Sequence, residues 1–188
     1  EEELQHRTSH VLLELERQIA FYADNVEAFA NNHFVINALI DPLGRDQYLP
    51  KLSQNFVRSH RFNTLNVVDF EGKDIYSTME PSSELQGLYL RPVLEIGNSF
   101  VRISRQGEKL FIAKPIIYYG TPVGAVVVQI DIRDLLSDFQ LGEEKGVAYQ
   151  VYSRGNLVWE KNFEKGLSYM DVTQQPTAAF TQLSDLGL

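Results

Sequence analysis

Cysteine is absent from this chain of 188 residues. Its absence excludes disulfides, thiolate zinc sites and thiol catalysis, and leaves the compartment open. Basic charge is scarce: 17 Lys and Arg stand against 25 Asp and Glu, a net charge of −8. That excludes a nucleic-acid role, because phosphate binding needs a basic surface. No run approaches ~18 uninterrupted apolar residues, so no segment reads as a membrane span. There is no signal peptide, and the chain opens without Met inside a charged helical pattern, as an excised segment would. Catalytic signatures are missing as well. No Ser sits in a nucleophile elbow, and there is no phosphate loop or dinucleotide fingerprint. His6 and His10 lie four apart on a helical pattern, but a pair without a third ligand does not hold a metal. No enzymatic activity, metal or cofactor is therefore expected in this segment.

What is present is an ordinary globular composition, 44% apolar, long enough for one large domain or two small ones. The most regular part runs from Asn98 to Leu135. Two turns punctuate it, at Arg105-Gln106-Gly107-Glu108 and at Tyr119-Gly120-Thr121-Pro122. Gly supplies the positive φ that tight turns need, and Pro pre-sets φ. The apolar, β-branched run Val123 to Ile132 is predicted to lie at the centre of a sheet with both faces covered. An earlier hairpin is read at residues 64–70 and 74–78 around Glu71-Gly72-Lys73. Strands are expected at 64–70, 74–78, 99–104, 109–118 and 123–132.

The N-terminal third is helical. Leu12, Leu15, Ile19, Tyr22, Val26 and Phe29 recur at alternating spacings of three and four, which puts them on one narrow stripe. No Gly or Pro interrupts residues 1–33, so a helix of roughly 45 Å is possible at about 1.5 Å per residue. Two readings of the stripe stay open. It belongs to a helix folded back on its own domain, or to a stalk that packs on the domain and also meets a second protomer in a parallel homodimer. Asp46 is read as the N-cap of a later helix that carries Leu49, Leu52 and Phe56. Residues 79–97 read as a loop with one helical turn near Pro92 to Ile96. A faint echo of residues 68–76 at 151–159 hints at a second unit beginning near Gly146. The expected organisation is a stalk helix at 1–33, a sensor-type unit at 34–140 and a reduced second unit at 141–188.

The segments LNVVDFEGKDIYST and FIAKPIIYYGTPVGAVVVQIDIRDLL, preceded by a long helix, resemble a Cache domain. These are the extracytoplasmic PAS-like sensors of bacterial chemoreceptors, histidine kinases and cyclic-di-nucleotide enzymes. The resemblance covers roughly residues 5 to 140 and is most specific from Pro115 to Gly124. It implies an α+β fold: a long N-terminal helix, then a five-stranded antiparallel sheet flanked by helices, with a smaller second unit. It also implies a receptor tethered in the bacterial inner membrane by segments outside this chain, with the domain facing the periplasm. Its amino-acid-sensing members share an Arg-x-Trp-Tyr signature. Arg91 stands in the matching stretch here, but Pro92-Val93-Leu94 follows and the Trp-Tyr pair is missing. Asp131 stands where the family places an ammonium-binding Asp, and Tyr118 where those members often carry another.

The residues expected to meet a small ligand are Tyr76, Arg91, Arg102, Tyr118, Gln129 and Asp131. Arg91 and Arg102 can clamp a carboxylate through paired N–H donors, or pair with Glu84, Glu95 or Glu108. Asp131 interrupts an apolar strand, so it binds a cation or amine, or caps the helix that begins beside it. Tyr76, Tyr89, Tyr118 and Tyr119 offer apolar bodies with polar tips, for a pocket or for the core. Alternation from Asp131 places Gln129 and Val127 on its face, and residues 79–97 are expected to lie over that face as a lid. Two functions follow: a sensor for a small ligand, or a module that docks a periplasmic binding protein and binds nothing small.

Overall fold

The computed structural model describes residues 2–80, 90–104, 106–137, 149–153 and 156–161. The chain opens with helix α1, Glu2–Ala30, followed by α2, His33–Ile40, and α3, Arg45–His60. Asn32 caps α2, its Oδ1 accepting from the N–H of Phe34 at 2.9 Å. Five strands follow: β1 Thr64–Asp69, β2 Asp74–Ser77, β3 Phe100–Ile103, β4 Lys109–Tyr118 and β5 Thr121–Asp131. The short helix α4, Arg91–Ile96, stands between β2 and β3, and α5, Ile132–Ser137, follows β5 directly. Strands β6, Tyr149–Ser153, and β7, Asn156–Lys161, pair as a separate hairpin.

The five strands form one antiparallel sheet in the order β2-β1-β5-β4-β3. The apolar run ending at Ile130 therefore sits in the middle strand, as its composition predicts. The chain doubles back at Tyr119-Gly120, where both residues have positive φ (48° and 78°) and Tyr118 pairs with Thr121. That is a two-residue turn of the mirror-image kind whose twist suits a hairpin. The turn lies one residue earlier than the sequence suggested, and Pro122 falls inside the start of β5 beside a bulge at Ile116/Ile117. The N-cap of α3 is also displaced from its expected place. Gly44 occupies it at φ 78°, and Asp46 lies in the first turn, where its charge suits the helix dipole.

The two faces of the sheet differ. On one, α1, α2 and α3 pack on Leu65, Val67, Leu110, Ile112, Ile116, Val126, Val128 and Ile130 to form the main core. On the other, α4 packs on Val68, Phe111, Ala113, Ala125 and Val127. The α1 stripe belongs to the main core: Leu15, Ile19, Tyr22, Val26 and Phe29 are all buried there. The helix is folded back on its own domain. From Leu15 to Ala30 the stripe is part of the sheet's core and is covered by it. The side of α1 turned away from the sheet carries Leu13 and Phe21, 56% and 59% exposed.

Candidate functional site

Strand alternation and pairing register decide which side chains share the face that α4 occupies. Thr64, Gln129, Phe111 and Arg102 are opposite one another in turn, one residue from each of β1, β5, β4 and β3. The neighbouring row reads Ser77, Asn66, Val127, Ala113 and Phe100. Adjacent strands are about 4.8 Å apart, so each row is a continuous line of touching side chains. Thr64, Asn66 and Gln129 are buried. They give this face a polar interior, whereas the fully buried strand residues on the helix side are apolar.

Of the six residues expected from the sequence, Gln129, Asp131 and Arg102 come together on this face. Gln129 is 8% exposed. Asp131 lies two residues further on, half-buried, opposite Lys109. Its Oδ1 accepts from the Arg133 N–H at 2.9 Å, so the carboxylate caps α5. Arg102 is exposed, with its guanidinium carbon 5.2 Å from the centre of the Phe100 ring, a cation–π distance.

The other three lie elsewhere. Tyr76 pairs with Val67 and packs in the main core on the helix side. Its hydroxyl accepts from Gln54 Nε2 of α3 at 3.3 Å. It is separated from Gln129 by the thickness of the sheet. Tyr118 pairs with Thr121 at the hairpin end of β4, whereas Gln129 pairs with Phe111. At about 3.3 Å per residue the two positions are roughly 20 Å apart, too far to share a small ligand. Arg91 is exposed at the start of α4, and its Nε donates to Glu95 Oε1 at 2.6 Å one turn along. That hydrogen bond, with the charge of Glu95, raises its pKa above the ordinary arginine value. Its chemistry is spent on its own helix. Glu84 and Tyr89 lie outside the described residues. So do residues 81–89 of the expected lid, but Leu90 and α4, which also belong to it, do lie over the Gln129 face.

Three residues at this end escaped the sequence reading. Asn66 is a polar residue inside the apolar stretch Leu65-Asn66-Val67-Val68, a signal of the same kind as Asp131. Thr64 is its neighbour on the same face. Asn63 precedes β1 and joins three pieces of backbone. Its N–H donates to the carbonyl of Gln129 at 2.9 Å, and its Oδ1 accepts from the N–H of Asp131. Its Nδ2 donates to Asp134 Oδ2 of α5 at 3.0 Å. Among the described residues no cluster of three His, Cys, Asp or Glu side chains could hold a metal ion. No helix among them is long and apolar enough to cross a membrane.

No protein-family model matches this chain, and no curated protein matches it. Solved structures do. The sensor domain of the V. cholerae histidine kinase DctB aligns with a TM-score of 0.53 at 18% identity, over 78% of this chain and 60% of that one. A domain of a sensory box/GGDEF family protein from Vibrio parahaemolyticus aligns with a TM-score of 0.53 at 15% identity, over 76% and 65%. The ligand-binding domain of Campylobacter jejuni chemoreceptor Tlp3, in complex with L-norvaline, aligns with a TM-score of 0.56 at 13% identity, over 86% and 70%. The chain thus spans about three fifths of the DctB domain. The fold is that of these bacterial sensor domains: an N-terminal helix followed by a five-stranded antiparallel sheet with helices.

Proposed function

We propose that this chain is a signal-sensing domain that binds a small ligand on the polar face of its sheet. It would be the extracytoplasmic part of a bacterial membrane receptor, tethered by segments outside this chain and without catalytic activity of its own. The observation that carries the reading is the row Thr64–Gln129–Phe111–Arg102, which begins buried and ends exposed on the face opposite the main core. A sheet that only had to pack would bury apolar side chains there. Buried amide and hydroxyl groups bring specificity instead, because each needs a partner. Bound ligand biases a conformational equilibrium by its differential contacts, and β5 runs from this face straight into α5.

The test is a metabolite-library thermal-shift screen, followed by calorimetry on Gln129→Ala, Arg102→Ala and Asp131→Asn. Loss of a charge-assisted contact is expected to weaken binding about 10- to 150-fold. A ligand unaffected by all three substitutions would place the site elsewhere.

A second reading is favoured by a separate observation. Phe70, Ile96 and Tyr119 are all strongly exposed, Tyr119 by 90%, at the hairpin end of the sheet. A partner protein, such as a periplasmic binding protein, would dock there. If no small molecule binds, pull-down with Tyr119→Ser and Phe70→Ser as controls tests this reading. A homodimer, on either reading, would use the face of α1 that carries Leu13 and Phe21. The hairpin β6–β7 would open a second, membrane-proximal unit.

A further inference from the structure

The Asn66 side chain has a feature that sensing explains and packing does not. Residue 66 sits in the middle of β1, between β2 and β5, and is 3% exposed. Asn is depleted in strands, and its flanking residues Leu65 and Val67 are wholly apolar core. Its Oδ1 is buried and has no hydrogen-bond partner among the described residues. An acceptor stripped of water and left unmet is a standing cost to the fold. A Val or Leu at this position would avoid it. The neighbours in register are Ser77 and Val127, with Thr64 and Gln129 in the adjoining row.

We infer that Asn66 anchors the ligand: its Oδ1 accepts a hydrogen bond from an uncharged N–H or O–H donor of a small amide- or hydroxyl-bearing molecule. The inference rests on the sensing reading of this face and names the ligand chemistry. The buried groups of this face among the described residues are amides and hydroxyls, which cannot compensate a buried charge. The ionisable side chains Arg102, Lys109 and Asp131 stand at the exposed edge or half-buried. An ionised group of the ligand therefore lies toward that edge, and its neutral donor reaches Asn66.

The probes are L-glutamine, urea, glycerol and D-ribose, with succinate as a partner that offers acceptors and no donor. Each is titrated into the wild-type chain and into Asn66→Val. At least one donor probe is expected to saturate the wild type and to bind the Val variant ten- to a hundredfold more weakly. Succinate is expected to give no binding. Free of probe, Asn66→Val is expected to unfold about 2–5 °C higher than wild type, because an unmet acceptor has been removed. A Val variant that melts lower, a donor probe that binds it undiminished, a panel in which no donor probe binds, or binding of succinate alone would each overturn the inference. If Val prevents folding, Asn66→Ser substitutes. It keeps an acceptor of shorter reach and should weaken the donor probe less than tenfold; a complete loss with Ser would overturn it too. Should the metabolite library yield a ligand that ignores position 66, the sensing reading stands and only this anchor falls.

Discussion

At the scale of single residues, Gly124 has no room for a side chain. A Cβ there would stand 2.2 Å from the carbonyl oxygen of Val68 and 2.7 Å from Leu39 Cδ1. The first of these is backbone in the paired strand β1, so it cannot swing aside. Gly124→Ala is expected to cost about 2–4 kcal/mol, read as a lower urea midpoint at unchanged slope. Tyr48 supplies a pH signature. Burial, then the charge of Asp41, raises its pKa above the ordinary tyrosine value. The folded state thus holds this proton more tightly than the unfolded one, so the contribution is fully present below about pH 10 and is lost as pH rises through the folded pKa. Urea denaturation should show stability falling above about pH 10, and Tyr48→Phe should lessen that fall. Residue-scale features were unevenly legible in the sequence. Gly72 and Gly120 do take positive φ at their turns, because only a residue without Cβ does so cheaply. Alternation from Asp131 correctly gave Gln129 and Val127, since parity within one strand is fixed. It says nothing of Tyr76, because the face of a different strand depends on pairing register, and β1 and β2 pair with a bulge between Val67 and Val68.

At the scale of elements, the junction of β5 and α5 separates two roles that one carboxylate can play. Asp131 caps α5 through the Arg133 N–H. Asn caps helices about as well as Asp but carries no charge. Asp131→Asn should therefore leave stability within about 0.5 kcal/mol, whereas Asp131→Ala should cost about 1 kcal/mol by denaturant unfolding. A ligand that presents a cation to this position would be lost in both variants; one that does not would be retained in Asn. The sequence left cap and cation site open because both use the same atom types, and only the position of the next amide tells them apart. Helix α1 was legible in extent but not in use. Spacings of three and four define a stripe, and a stripe meets a sheet as readily as another helix.

At the scale of the whole molecule, the helix layer and the polar face divide the work. The main core is built by α1, α2 and α3 on one side of the sheet, and a smaller apolar cluster lies under α4 on the other. Val26, wholly buried on α1, is expected to cost about 1–3 kcal/mol when cut to Ala. Single cysteines at Leu13 and Phe21 should leave the midpoint near wild type. In the receptor proposed above those two positions are expected to cross-link, and cysteines at the exposed positions Glu16 and Glu27, on the flank of α1, are not. Equal cross-linking around the helix would remove the dimer from the account.

Asn63 can be considered as a machine part. Three hydrogen bonds fasten it to the Gln129 carbonyl, the Asp131 amide and the Asp134 carboxylate. The start of β1, the end of β5 and the first turn of α5 are thus riveted at one point, with no loop between them to take up slack. A linkage without backlash passes small displacements on undiminished. If β5 slides or tilts when its polar face is occupied, α5 must turn with it, and α5 packs on β7. Shearing that rivet, as Asn63→Ala would, should loosen the drive train and leave the face that receives the load intact.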